Sequence, residues 1–147
     1  MAWPGNNVSL LLLLIRFLND GYFLLRMTLK ERLRLAERFE GRTTCYGIAL
    51  FLAGVTPTIE NPNEERTRRL IERLEITTTA REGDIIAIKE GEFLDHLGVV
   101  VEDNARKMAD WAGFLDFYGH LRSRIPYREF IGDRALSRQE IVVYRVN

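Results

Sequence analysis

The chain has few residues from which a metal or redox site could be built. It contains one cysteine and two histidines among 147 residues. A single cysteine excludes an internal disulfide and a zinc site made of several thiolates. Two histidines are too few for a histidine-built metal centre, so we predict no metal and no cofactor. Cys45 is then either a small buried residue or a reactive thiol.

The chain also lacks an excess of charge of either sign, because 21 basic residues balance 21 acidic ones. Nucleic-acid binding requires a clear basic excess or stripe, so we expect no nucleic-acid partner. One local basic cluster, Arg66, Arg68 and Arg69, is interleaved with glutamates and is typical of a solvated helix face. Hydrophobic residues make up 46% of the chain, which suits a single globular domain.

No apolar run is long enough to cross a bilayer, which takes about 20 residues. The longest, residues 8–18, lacks the basic start and small-residue cleavage site of a secretory signal. We therefore divide the chain into an apolar segment at 1–27 and a domain at 28–147. The segment can be a helix packed on the domain, a leader that associates with a membrane through residues 8–18, or sequence upstream of a start at Met27. The missing signal pattern slightly favours the cytoplasm.

Helical signals dominate the first half of the domain. A Thr-x-x-Glu capping pattern begins a predicted helix over 28–39. Residues 43–54 predict a nearly apolar and therefore buried helix with a threonine cap and Cys45 in its first turn. Asn61 and Pro62 predict the cap and the first residue of a third, charged helix.

Strand patterns follow in the second half. Residues 85–88 and 94–101 predict a hairpin, 106–111 predict a third strand, and 140–146 predict a final strand rich in β-formers. Residues 112–137 follow no clear pattern. Helices followed by antiparallel strands predict an α+β fold, with the N-terminal helices packed on an antiparallel β-sheet.

Cys45 is the first candidate for catalysis, because the N–H groups and dipole of a helix N-terminus favour a thiolate. The same N–H groups can bind an oxyanion. His96 is the preferred base. It lies in a predicted strand, and Gly98 on the same face leaves open space beside the imidazole for a substrate or for the Cys45 helix. His120 lies in the irregular stretch, and we expect a surface or structural role for it.

The group that orients the imidazole depends on the turn between the second and third strands. A two-residue turn would put Asp110 on the face away from His96. A three-residue turn would put it opposite Gly98 and diagonal to His96. The apolar Met108, two residues before Asp110, favours the second register. Asp110 is therefore our candidate, and an ordinary surface aspartate is the alternative.

These residues together resemble the motifs of the NlpC-like cell-wall peptidases. Cys45-x-Gly47 at the start of an apolar helix is similar to their cysteine motif. Gly83-Asp84 before a strand resembles their Gly-Asp-hydrophobic motif. Residues 96–100, His-Leu-Gly-Val-Val, resemble their histidine motif. The order and the spacings also agree, over roughly residues 43–111.

The resemblance implies a papain-like fold and a thiol-dependent hydrolase without a metal. Such an enzyme would cleave an amide bond, often in a cell-wall peptide, through a thioester intermediate. Cys45 would be the nucleophile and His96 the general base and acid. Asp110 would take the third, polar position, which is commonly histidine in the family.

Three further residues are expected to line the substrate cleft. Thr44 stands where the family usually has Asp or Asn, and Tyr46 stands where it usually has a small residue and can narrow the cleft. Gly98 is the third. The implied partner is a peptide or another amide or ester substrate. The alternatives are a catalytically inactive member of the same fold that serves as a binding module, and an unrelated α+β fold.

Overall fold

The computed structural model of the protein describes residues 27–39, 43–102, 107–113, 119–132 and 138–146. In these residues, four α-helices and an antiparallel six-stranded sheet form an α+β fold, the class that the sequence predicts.

The apolar segment at 1–27 lies outside the described residues, apart from Met27. Its conformation and its membrane association through residues 8–18 therefore stay predictions. In the part of the chain that the structure describes, no helix has the length and apolar character needed to cross a membrane.

Three helices precede the sheet, and each is capped by a side-chain oxygen at its start. Helix α1 spans Leu29–Ala36 and continues as a 3-10 turn over Glu37–Phe39, α2 spans Cys45–Leu52, and α3 spans Glu64–Ile71. The capping residues are Thr28, Thr44 and Asn63.

The capping pattern of α1 is confirmed, but the predicted start of α3 is wrong. In α1, the Glu31 N–H donates to Thr28 Oγ1 at 3.1 Å. In α3 the cap is Asn63 rather than Asn61, because Asn63 Oδ1 accepts the Arg66 N–H at 2.8 Å. The cap at Asn63 places Glu64 and Glu65 in the first turn, where the helix dipole favours them.

The six strands are all antiparallel and follow the order β1-β6-β2-β3-β4-β5 across the sheet. The strands are β1 Glu75–Thr77, β2 Ile85–Glu90, β3 Phe93–Glu102, β4 Lys107–Gly113, β5 Gly119–Pro126 and β6 Glu140–Arg145. A short helix, α4, follows β5 over Tyr127–Ile131. The sequence predicts β2, β3, β4 and β6. It does not predict β1, and β5 and α4 lie in the stretch at 112–137 that follows no clear pattern.

The two faces of the sheet carry separate apolar clusters. In β2, Ile85 and Ala87 belong to the larger cluster, which α1, α2 and α3 cover. Ile86 and Ile88 alternate with them and belong to the smaller cluster, which includes Phe130 of α4. All four β2 residues are fully buried, which explains why their sequence reads as a continuous apolar run.

Helix α2 is the most buried element among these helices. Its residues 48–52 are each at most 3% exposed, as the apolar sequence predicts. At its C-terminal end, the buried Arg32 of α1 donates from Nη1 to the Phe51 carbonyl at 2.7 Å. Burial lowers the pKa of this guanidinium. A cation there interacts favourably with the negative end of the helix, so Arg32 joins α1 to α2.

Candidate active site

Cys45 occupies the first turn of α2 with a half-buried, free thiol. Thr44 caps the helix, since its Oγ1 accepts the Gly47 N–H at 3.3 Å. A Cβ at Gly47 would lie 2.7 Å from Thr43 Oγ1 and would overlap the Glu60 carbonyl oxygen. The glycine therefore lets this turn pack closely against the chain at Glu60. We expected Thr44 to line the substrate cleft. Its side-chain oxygen is hydrogen-bonded within helix α2.

His96 and Asp110 lie where strands β3 and β4 part. The pairing of these strands runs from Gly98↔Asp110 to Glu102↔Lys107. Beyond Asp110, β4 continues along β5 as far as Gly113. His96 lies two residues outside this ladder, on the same face as Gly98 and diagonal to Asp110. The predicted register, with Asp110 opposite Gly98, is confirmed.

The imidazole of His96 and the carboxylate of Asp110 are in direct contact. His96 Nε2 is hydrogen-bonded to Asp110 Oδ1. The two side chains are 13% and 6% exposed, so the contact is largely shielded from water. Asp110 is therefore not an ordinary surface aspartate. Because Asp110 binds Nε2, the ring nitrogen left for a second partner is Nδ1.

The Cys45 side chain also affects the titration of His96. Burial alone would lower the pKa of His96, but hydrogen bonds with Asp110 and Cys45, together with the charges of both, raise it to about 9. The imidazole is thus held protonated at neutral pH. The structure therefore brings Asp110 of β4 into contact with His96 of β3, and the Cys45 side chain of α2 is near enough to contribute to the pKa of the imidazole.

Asp110 has a second cationic partner, which sequence reasoning missed. Arg122 of β5 lies opposite it and donates from Nη2 to Oδ2 at 2.6 Å. Although burial opposes ionisation, the hydrogen bonds and charges of His96 and Arg122 keep the pKa of Asp110 below its usual value. No sequence signal marked Arg122, because it lies in the stretch at 112–137 that follows no clear strand pattern.

Tyr46 connects the first turn of α2 to the sheet. Its hydroxyl donates to the Leu94 carbonyl of β3. Burial, with the nearby charges of Cys45, Glu64 and Asp95, raises the pKa of Tyr46 far above its usual value, so the phenol stays neutral. Tyr46 follows Cys45 in the first turn of α2, and its hydroxyl is engaged with the strand that carries His96. That it lines a substrate cleft stays a prediction.

The open space predicted beside Gly98 is occupied, so that prediction is wrong. The ring of Phe130, from α4, fills it: a Cβ at Gly98 would lie 2.6 Å from Phe130 Cζ. The same ring lies 5.5 Å from the imidazole of His96, centroid to centroid. Gly98 therefore does not line a substrate cleft; it admits the aromatic ring that packs beside the histidine.

Asp84 of the Gly-Asp motif has a structural role. Asp84 is buried and binds Arg145 of β6 through both oxygens, at 2.8 and 3.2 Å. It also accepts the Arg81 N–H at 2.8 Å. The Gly-Asp motif thus ties the start of β2 to the final strand. His120 is exposed on β5, in agreement with the expected surface role.

Within the described ranges, no group of three or more His, Cys, Asp or Glu side chains is arranged to hold a metal ion. A cavity of about 90 Å³ lies among Ile86, Val100, Met108 and Tyr127, and neither Cys45 nor His96 lines it.

Comparison of the chain with protein-family models, with curated proteins and with solved structures finds no match. What the site does must therefore be argued from its own geometry.

Proposed function

We propose that the protein is a thiol-dependent hydrolase that cleaves an amide bond through an acyl-enzyme on Cys45. The observation that carries the proposal is the hydrogen bond of the His96 imidazole to the buried Asp110, with the Cys45 side chain near enough to the same imidazole to raise its pKa. A nucleophile, a base and a third group that orients the base form the arrangement that activates a cysteine. The motif resemblance supports a papain-like, NlpC-like domain, with peptides, including cell-wall peptides, as the substrate class.

The reaction would proceed in two steps. The Cys45 thiolate attacks the substrate carbonyl carbon, and His96 gives its proton to the departing amine as the C–N bond breaks, which leaves a thioester. Water then attacks the thioester while His96 takes a proton from it. The carboxylic acid leaves, and the Cys45–His96 pair is restored. Asp110 remains ionised throughout and stabilises the imidazolium.

The first turn of α2 offers donors for the oxyanion of each tetrahedral intermediate. The Gly47 and Ile48 N–H groups already bond to Thr44. The N–H groups of Cys45 and Tyr46 precede them and are the donors that we assign to the oxyanion. A helix N-terminus favours negative charge there.

Alkylation of Cys45 by iodoacetamide between pH 5 and 10 tests the proposal, because the chain has no other thiol. At pH 6.5 the native protein should react roughly tenfold or more faster than His96→Ala, because the thiolate is the form that alkylates and a neighbouring cation favours it. The reason is that only the native protein keeps an imidazolium beside the sulfur.

His120→Ala is the matched control, since it removes the exposed histidine and leaves the pair intact. It should follow the native pH profile. Coincident profiles for the native protein and His96→Ala would overturn the catalytic proposal and favour the binding-module alternative. A soluble cell-wall peptide mixture, assayed for new amino groups with native protein and Cys45→Ser, then tests the substrate class.

A further inference from the structure

Arg122 connects the site to helix α4. Its Nη2 donates to Asp110 Oδ2 at 2.6 Å, and its Nη1 donates to Glu129 Oε1 at 2.9 Å. The two terminal nitrogens of one planar guanidinium are thus fixed between two carboxylates on different elements. Since Asp110 uses Oδ1 for His96 and Oδ2 for Arg122, the orientation of its carboxylate is set from both sides.

A bulge in β5 brings Arg122 to this position. Met108 pairs with Ile125, whereas Asp110 pairs with Arg122, so β5 has one more residue than β4 between these pairs. Arg124, within the bulge, has φ = 62°, which non-glycine residues rarely adopt. Without the extra residue, Ser123 would face Asp110. The bulge therefore places Arg122, rather than Ser123, opposite the Asp110 carboxylate.

We propose that Arg122 is a positioning residue of the catalytic site, which holds the Asp110 carboxylate against His96 and so maintains the reactive Cys45–His96 pair. The inference rests on the proposed function and deepens it. Arg122 acts through Asp110, since its hydrogen bonds go to Asp110 and Glu129. Glu129 in turn steadies the guanidinium from α4.

The charged and titratable groups around the imidazole come from several elements. Cys45 belongs to α2 and Asp110 to β4, and both raise the pKa of His96. Arg122 of β5 faces Asp110, and Glu129 of α4 faces Arg122. Arg122 thus stands between the carboxylate of the site and a carboxylate that is 53% exposed.

A double-mutant cycle on the iodoacetamide rate at pH 6.5 tests the assignment. Arg122→Gln and Asp110→Asn should each lower the rate. The expected loss is roughly tenfold for each pH unit by which the titration of His96 moves. The double variant should be no slower than Asp110→Asn alone, because both changes remove one interaction. Arg122→Lys, which keeps the charge without the planar fork, should recover part of the rate.

Arg145→Gln is the matched control, since it breaks an Arg–Asp pair of the same kind at Asp84, away from Cys45. It should lower the thermal midpoint and leave the alkylation rate unchanged. The imidazole NMR titration of His96 gives a readout independent of Cys45. In Arg122→Gln it should move from the native curve towards that of Asp110→Asn, and in Arg145→Gln it should coincide with that of the native protein.

A native alkylation rate and a native His96 titration in Arg122→Gln would overturn the assignment, as would additive effects in the cycle. If Arg122→Gln does not fold, Arg122→Lys and Glu129→Gln are compared by the same titration, and native curves in both overturn it. Failure of the proposed function is distinguishable: His96→Ala would then alkylate like the native protein, and the NMR titration alone would decide whether Arg122 positions Asp110.

Discussion

Two glycines determine how closely the parts of the site approach one another. Gly47 lets the first turn of α2 contact the Glu60 carbonyl, and Gly98 lets the Phe130 ring lie against β3. In both places a neighbouring group occupies the volume of a side chain. The position of the thiol and the packing beside the imidazole therefore depend on residues that carry no chemistry themselves.

Gly98→Ala should destabilise the protein by about 1–3 kcal/mol, because overpacking at a filled site forces neighbours out of place. The methyl group would displace Phe130, whose ring packs beside His96. Urea unfolding of the native protein and of the variant measures the loss.

Phe130→Leu supplies the control for this substitution, since it removes the ring atoms that the new methyl group would meet. Gly98→Ala combined with Phe130→Leu should lose less stability than the sum of the two single losses. Strictly additive losses would show that the alanine does not press on the ring.

The catalytic candidates were recoverable from sequence for a chemical reason. A chain with one thiol and two histidines leaves few ways to build an activated cysteine. Helix signals placed Cys45 at an N-terminus, and strand alternation placed His96 and Asp110 on one face. The sequence does not reveal the surroundings of Gly98, because a glycine in a strand pattern does not tell whether its space is open or filled from a distant element, in this protein by Phe130.

At the scale of elements, β5 shows where periodicity fails as a guide. A bulge changes the phase of the alternation, so residues on either side of Arg124 do not follow one period of two. Its sequence, Gly-His-Leu-Arg-Ser-Arg-Ile-Pro, also lacks a run of β-formers. The strand forms because β4 supplies backbone partners and Asp110 supplies a charge for Arg122, neither of which local sequence reveals.

Arg124→Gly should stabilise the protein by about 1 kcal/mol, because glycine adopts the left-handed backbone of this bulge without steric cost. Thermal unfolding measures the gain, and the alkylation rate of Cys45 should stay native because Arg122 keeps its position.

Arg128→Gly is the control for Arg124→Gly, since it changes another exposed arginine, in α4. It should destabilise by about 0.5–1 kcal/mol, as glycine does inside a helix. Equal losses in both variants would contradict strain at Arg124.

At the scale of the whole molecule, contacts between residues far apart in the sequence complete the sheet. Its middle strands could be predicted one by one. The pairing of β6 between β1 and β2, and the Asp84–Arg145 contact, join residues between 51 and 70 positions apart. The α+β class followed from the order of helices and strands. The strand order did not, because it depends on such distant pairings rather than on local pattern.

The charged cluster at the site couples the stability of the whole fold to pH. The pKa of His96 is 6.5 in its reference state and about 9 in the folded protein. Because folding raises this pKa, the stabilisation is fully present below pH 6.5 and is lost as the pH rises through 9. The shift corresponds to a contribution on the order of 3 kcal/mol.

Urea unfolding of the native protein and of His96→Gln should therefore differ most at pH 6 and converge by about pH 9.5. Cys45→Ser should reduce the difference at pH 6, since the sulfur contributes a hydrogen bond and a charge to the shift. A difference that stays constant from pH 6 to 9.5, or that grows with pH, would mean that the imidazole is not held protonated by Cys45 and Asp110. The catalytic pair and the pH dependence of folding would then have separate origins.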